Sequence, residues 1–278
     1  MRKARKLFSY IRIVLEAGPT ILFYHLTKMH KYAKHPEKYP LDIRYKNART
    51  VLRRIIKAYR VDIHCSGLEN LSNVDGKVMF VSNHLSTADP VALVSLLDKP
   101  ITFAAKQETL DMPFVGAVLL ALDGVPLDRG NIMNQLSQIK LLVNTIKSEK
   151  YANVCIFAEG TRNKEPKNPC LEFHAGSIKM AYMANTPIIP ITLYGTWRIF
   201  SAKHFLRKYP VYVNFGKPIY PSEYKNISSV ELSDKLRHQI DQNVNRFRLL
   251  DKKEICAQRL TKKRKLYEIE PDNIKLSS

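Results

Sequence analysis

The chain is poor in groups that would tie it together covalently or through a metal. Its four cysteines, Cys65, Cys155, Cys170 and Cys256, form no CxxC pair and no Cys/His ligand spacing. A disulfide framework and a metal site are therefore not expected, and the cysteine usage points to a reducing compartment. Long apolar runs are missing too: nothing reaches the roughly 18 consecutive apolar residues that a spanning helix needs. Arg12 and Glu16 interrupt the best N-terminal candidate. The same two charges argue against a cleaved signal over Met1–Phe23, although Arg2-Lys3-Ala4-Arg5-Lys6 imitates the basic start of one. The chain has no GxSxG elbow and no other evident Ser or Cys nucleophile. Nor does it show a zinc knuckle, an RNP-like aromatic motif or a helix-turn-helix pattern, so a nucleic-acid partner is not expected.

Acidic residues are scarce at the two ends. Residues 1–60 hold 16 Lys+Arg against 3 Asp+Glu, and residues 246–278 hold 10 against 5, so nearly all of the formal +20 lies outside the middle. Such a distribution suits a near-neutral body held by basic ends against an anionic surface, either nucleic acid or the anionic lipids of a cytoplasmic leaflet. Charge alone does not choose between them.

What is present begins with Asn83-His84-Leu85-Ser86-Thr87-Ala88-Asp89-Pro90, directly after an apolar strand-like run. An imidazole becomes an effective base when one ring nitrogen meets the reacting proton and the other donates to a carboxylate. The His84–Asp89 spacing permits that if the segment turns. The bland alternative is a structural histidine with Asp89 capping a helix that starts at Pro90. Three further blocks follow in order at the edges of apolar runs: Asp123-Gly124-Val125-Pro126-Leu127-Asp128-Arg129-Gly130, Phe157-Ala158-Glu159-Gly160-Thr161-Arg162 and Ile188-Ile189-Pro190-Ile191.

With these blocks the chain resembles the glycerophospholipid acyltransferase family, specifically the 1-acylglycerol-3-phosphate acyltransferases. That family is marked by NHxxxxD, a GxxPxDR-like block, FPEGTR and an apolar block with proline. The likeness extends to Phe103-Ala104-Ala105-Lys106 and to Phe173 with Gly176, covering roughly Tyr59 to Ile219. Two positions depart from it: Ala158 stands where the family usually has proline, and Asn163 where it often has serine.

The resemblance implies transfer of an acyl group from a thioester, acyl-CoA or acyl carrier protein, to the sn-2 hydroxyl of a lysophosphatidate, giving phosphatidate. No cofactor is implied. With no protein nucleophile evident, the substrate hydroxyl attacks, His84 takes its proton and Asp89 holds the ring. Arg129 is the first choice for the substrate phosphate, since a guanidinium grips phosphate as a fixed fork. Arg162 and Lys106 come next, with the Gly160-Thr161 backbone as amide donors to an anion. The family ties the counterparts of Glu159, Gly160 and Arg129 to acyl-acceptor binding. Each also has a structural alternative: Arg129 capping a turn, Arg162 on a solvated loop, Glu159 in an ion pair. Asn83, Asp128 and the Thr161 side chain are read as setting loop geometry, and His64, His174 and His204 as structural or exposed, lacking a motif-matched acid. Rival functions are acylation of glycerol 3-phosphate or another lysophospholipid, a basic nucleic-acid binder using Lys262-Lys263-Arg264-Lys265, and a membrane-surface scaffold.

For the fold, period-two runs predict strands at Val61–Cys65, Val78–Ser82, Ile101–Ala105, Val154–Phe157, Ile188–Leu193 and Val211–Phe215. Helical patterns lie between them at Val91–Leu97, Pro113–Leu122, Ile132–Ile146 and His174–Ala184. A last stripe of Leu232, Leu236, Ile240 and Val244 closes the series. Val115–Leu120 is apolar all round and reads as core. This alternation predicts an α/β fold with a largely parallel central sheet flanked by helices, with sites at the carboxyl ends of strands. Three segments are expected: a basic N-terminal helical membrane-association segment, residues 1–58; a catalytic domain, 59–245; and a basic extension, 246–278. The first is read as two short helices broken at Gly18-Pro19, lying in a membrane interface. The protein is accordingly expected on the cytoplasmic face of the cell membrane, peripheral or monotopic.

Overall fold

A computed structural model describes residues 2–72, 74–112, 114–127, 132–148, 153–165, 169–200 and 208–260. The chain opens with a helix, α1 (Arg2–Tyr24), which runs through a π-helical turn (His25–Met29) into α2 (His30–Lys34) and is followed by α3 (Leu41–Ala58). The predicted break at Gly18-Pro19 is not there: α1 carries Pro19 inside a continuous helix. A proline costs its own N–H bond and crowds the carbonyl one turn back. Here the disturbed turn is supported from outside, because Arg54 on α3 donates from Nε to the Glu16 carbonyl at 2.7 Å. Arg12 and Glu16, the charges that interrupt the apolar run, pair with each other one turn apart at 3.2 Å.

The sheet has seven strands in the order β1-β7-β6-β2-β5-β3-β4: β1 (Val61–Ser66), β2 (Met79–Ser82), β3 (Ile101–Lys106), β4 (Val125–Leu127), β5 (Asn153–Phe157), β6 (Ile188–Tyr194) and β7 (Tyr209–Phe215). Every pairing is parallel except β6 with β7. Six of these strands lie where alternation placed them. The seventh, β4, has only three residues and contains Pro126; proline lacks a ladder donor and is tolerated in β4 because that strand lies at the sheet edge. The antiparallel β6–β7 pair explains why no long helix is needed between them, whereas parallel neighbours are joined by crossovers.

Helices cover both faces. On β2, Phe80 points to the face packed by α3, α4 (Asp89–Leu96) and α6 (Val115–Ala121), while Met79 and Val81 point to the other. That second face is packed by α7 (Ile132–Lys147), α8 (Ala175–Ala184) and α10 (Ser229–Leu260). Two short helices, α5 (Gln107–Leu110) and α9 (Pro221–Tyr224), complete the set. The predicted α10 stripe is the buried one: Leu232, Leu236, Ile240 and Val244 are at most 3% exposed. In α6, Val118 and Leu119 are buried among the core residues. Helix α3 begins at Leu41 and is fully part of the core through Tyr45, Ala48, Val51, Leu52 and Ile55.

Candidate active site

Because β2, β5, β3 and β4 are parallel neighbours, their carboxyl ends share one rim. Ser82 at the end of β2 is in register with Phe157 at the end of β5, and Lys106 at the end of β3 with Leu127 at the end of β4. His84 therefore lies two residues beyond β2, Glu159 two beyond β5, and Lys106 caps β3. Arg129, two residues past β4 in sequence, lies outside the described residues, as do Asp128, Gly130 and His204.

After β2 the chain makes a tight turn that returns on itself at Asp89, the first residue of α4, with Pro90 in the first turn. The Asp89 side chain does not serve as a conventional helix cap. It reaches back, and its Oδ2 accepts from the Leu85 amide (2.8 Å), the Ser86 amide (3.0 Å) and the His84 ring, whose Nδ1 is 2.7 Å away. With Oδ2 already accepting two N–H groups and the carboxylate itself wholly buried, Nδ1 is placed as the protonated nitrogen, leaving Nε2 as the acceptor. Among the described residues Nε2 has no hydrogen-bond partner, and the ring is 19% exposed. One face of the imidazole stacks on Phe157 at 4.2 Å between centroids and 19° between planes, and Phe157 in turn stacks on Phe103.

The backbone of His84 is held as firmly as its ring. Glu159 is 2% exposed; its Oε1 accepts the His84 N–H at 2.7 Å and its Oε2 the Leu171 N–H at 3.1 Å. From the other side, the Asn163 N–H donates to the His84 carbonyl at 2.7 Å. The Asn163 side chain closes its own loop, giving to the Pro169 carbonyl and accepting from the Glu165 amide. Asn83, also buried, mimics a strand residue by exchanging two bonds with the Leu193 backbone of β6. Burial pushes the Glu159 carboxyl up to about 7, against the opposing pull of its two amide donors.

An imidazole with a fixed tautomer, a free acceptor nitrogen and a buried carboxylate behind it can take a proton from a hydroxyl. The chain has a domain of the Acyltransferase family matching residues 62–194, which spans this entire rim. It is also 29% identical, over 83% of its length and 89% of the relative's, to a probable 1-acyl-sn-glycerol-3-phosphate acyltransferase of Mycoplasma pneumoniae. Residues 62–194 are an acyltransferase domain. A chloroplastic 1-acyl-sn-glycerol-3-phosphate acyltransferase of Brassica napus is 33% identical over 67% of this acyltransferase and 52% of the plant chain. In fold, it is similar to the crystal structure of PlsC, the 1-acyl-sn-glycerophosphate acyltransferase from Thermotoga maritima, with a TM-score of 0.62 and 21% identity across 89% of this chain and 98% of that one.

The structure brings His84, Asp89, Glu159 and Gly160 of the acyltransferase into one cluster. Gly160 takes a positive φ of 63° and gives its N–H to the Phe157 carbonyl at 3.0 Å. That amide is spent on the turn and is not available to an anion, which removes half of the expected Gly160-Thr161 donor pair. Glu159 forms no ion pair among the described residues; its structural partners are backbone amides. Thr161, Arg162 and Lys106 are exposed on the rim, and Arg162 has no partner among the described residues, so its guanidinium is open to a ligand. Two participants escaped the sequence reading. Phe157 was visible only as a motif letter, and Asn163 only as a departure from the family pattern. Stacking and a backbone donor leave no signature of their own. Of the remaining histidines, His174 is exposed. His64 does have an acid nearby, Glu254 at 3.7 Å, and stacks on Tyr212; that acid lies in α10, too far along the chain for a motif to reveal.

Proposed function

We propose that the protein transfers a fatty acyl group from an acyl thioester to the sn-2 hydroxyl of 1-acyl-sn-glycerol 3-phosphate, forming phosphatidate. The observation that carries this is the His84–Asp89 pair, a 2.7 Å contact through Nδ1 that leaves Nε2 of a partly exposed ring without a partner among the described residues. His84 Nε2 accepts the hydroxyl proton as the oxygen attacks the thioester carbonyl carbon. As the carbon–sulfur bond breaks, the imidazolium returns the proton to a thiolate whose ordinary pKa of ~8.5 makes it a good leaving group. Asp89 holds the ring and offsets its transient charge. Arg162 and Lys106, exposed at neighbouring strand ends, and Arg129 beyond β4 are the cations for the substrate phosphate.

The names of the relatives support the lysophosphatidate acceptor. For the donor, acyl-CoA and acyl carrier protein remain the two candidates, and the basic ends of the chain suit the acidic surface of either a carrier protein or a membrane. We assign residues 1–58 to membrane association, residues 59–245 to catalysis, and residues 246–278 to a basic extension. Helix α1 and the turn after it expose Leu7, Phe8, Ile11, Val14, Leu15, Leu22, Phe23 and Leu26, each between 46% and 70%. An apolar strip of that extent with basic residues in sequence around it suits an anionic lipid interface. Among the described residues no helix is long and apolar enough to cross a membrane. The exposed strip of α1 suits lateral embedding in the cytoplasmic leaflet, where anionic lipids are.

The deciding experiment is acylation of 1-acylglycerol 3-phosphate by purified protein in anionic vesicles, with acyl-CoA and acyl carrier protein compared as donors and His84→Ala as control. Phosphatidate from the wild type and none from the folded variant is the expected result. Product formed equally by His84→Ala would reject the mechanism. Acylation of glycerol 3-phosphate but not of the lysophospholipid would reject the acceptor.

A further inference from the structure

We propose that Asp241, on α10 and beyond the family-matched stretch, is a positioning residue for His84, acting through residues 169–173 and Glu159. The inference rests on the acyl-transfer reading above. It starts from a segment that no helix or strand supports: residues 169–174 lead into α8 without regular secondary structure. Their backbone groups go to side chains and to one loop carbonyl instead. The Pro169 carbonyl accepts from Asn163 Nδ2 at 2.9 Å, the Cys170 amide donates to Asp241 Oδ1 at 2.9 Å, and the Leu171 amide donates to Glu159 Oε2 at 3.1 Å. The Phe173 carbonyl accepts from Ser233 Oγ at 2.9 Å, and the His174 amide donates to the Ala158 carbonyl at 2.9 Å.

The two holds from α10 set the course of this segment. Ser233 and Asp241 lie on a helix fixed in the core by Leu236 and Ile240, both fully buried. At ~1.5 Å per residue they stand ~12 Å apart along its axis, and an extended backbone from Cys170 to Phe173 spans ~10 Å. The segment is drawn out along α10 with little slack, so the direction of the Leu171 N–H follows from the hold on Cys170. That N–H meets the same carboxylate whose other oxygen takes the His84 N–H at 2.7 Å. A glutamate gripped at both oxygens has one orientation; gripped at one, it turns about its broad terminal torsion. The path from Asp241 to the base is therefore short: Cys170 amide, Leu171 amide, Glu159 carboxylate, His84 amide. The same path bears on pH. The two amides oppose the burial that brings the Glu159 carboxyl to about 7. The titrating groups facing that carboxyl are His84 and Asp89 from the β2–α4 turn and the Cys170 thiol, which also faces Asp241 and Arg248 of α10. Without the Leu171 donor the carboxyl rises further. Once protonated it keeps a single good acceptor oxygen for two amides.

A purely fold-holding contact would only shrink the active fraction, which lowers the plateau of a pH profile without moving its limbs. Asp241→Ala, which removes the acceptor, and Asp241→Asn, which keeps a neutral one, are assayed in anionic vesicles from pH 5.5 to 9. Acceptor and donor are varied independently, and amide hydrogen exchange is followed at Leu171 and His84. For Asp241→Ala we expect kcat at pH 7 to fall about fivefold or more, with both KM values within twofold. Its acid limb in kcat should move up by about half a pH unit or more, and both amides should exchange faster. Asp241→Asn should stay within twofold of wild type throughout. An Asn variant as impaired as the Ala variant, a lowered kcat with an unmoved acid limb, unchanged exchange at His84, or failure of Asp241→Ala to fold by far-UV circular dichroism would each overturn the proposal. A wild type that gives no phosphatidate would fail the functional reading, and the exchange measurement would still decide the relay from Asp241 to His84.

Discussion

Glu159 gives a sharp test because its charge state is tied to the backbone of the proposed base. The carboxyl is 2% exposed and is carried from 4.5 up to about 7, with burial as the largest cause. A carboxyl raised in this way keeps its proton in the folded chain over a pH range where the unfolded chain has released it. Folding stability must therefore fall as pH rises from 4.5 to about 7 and then level off. At ~1.36 kcal/mol per pKa unit, the displacement corresponds to roughly 3 kcal/mol of pH-dependent stability. Glu159→Gln removes the titration. It also leaves one of two amides, His84 N–H or Leu171 N–H, facing an NH2 group instead of an acceptor, a fixed cost of about 1–3 kcal/mol at every pH. Urea unfolding of wild type and Glu159→Gln between pH 5 and pH 8 separates the two effects, because all other titrating groups cancel in the difference. The variant should be clearly less stable at low pH, and the gap should close by roughly 3 kcal/mol, or reverse, towards pH 8. Parallel stability curves across that range would refute the burial argument.

Other outcomes follow from the same contacts. Asp89→Asn keeps the shape of the turn but withdraws the charged acceptor from His84 Nδ1, so kcat should fall on the order of 10³ to 10⁴-fold with little change in either KM, measured by steady-state acylation. Phe157→Leu removes the aromatic face stacked on the imidazole and should lower kcat roughly two- to thirtyfold, the equivalent of ~0.5–2 kcal/mol of lost stabilisation of the imidazolium, without altering vesicle binding. Asn83→Ala leaves the Leu193 amide and carbonyl unpaired in the core and should cost about 1–3 kcal/mol per orphaned group, read as a lower urea midpoint. Replacing the exposed Leu22 and Phe23 of α1 by Asp should abolish flotation with anionic vesicles while acylation of a detergent-dispersed acceptor persists.

The parallel layer was legible because each strand carries its own period-two pattern and each motif sits where such a pattern ends. Met79, Phe80 and Val81 divide between the two sheet faces as the alternation requires, and the rim then follows from topology alone. Local rules failed where the deciding partner is distant. Pro19 reads as a break because nothing within a helical turn compensates it; Arg54, which braces that turn, is 38 positions away. β4 was invisible because three residues around a proline carry no period, and what makes them a strand is their pairing with β3 beside them. The likeness to a known family supplied the letters of the site but not its wiring.

That wiring explains why blocks so far apart in the chain belong to one site. Ring, N–H and C=O of His84 are each claimed by a different group: Asp89 from the turn itself, Glu159 from the loop after β5, and the Asn163 amide four residues further on. Only with all three in place are the plane of the imidazole and the direction of Nε2 determined. Glu159 then has a reason to be acidic that does not require contact with substrate: a buried N–H beside a charged intermediate is held better by a carboxylate than by a neutral acceptor. Its cost is the burial that lifts its pKa to about 7. A glutamate acting mainly through His84 should lower kcat when changed to Gln and leave the acceptor KM nearly untouched, whereas one that grips the acceptor should do the reverse. Measuring that split in the Glu159→Gln protein at pH 8, where the wild-type carboxyl is ionised, distinguishes the two roles.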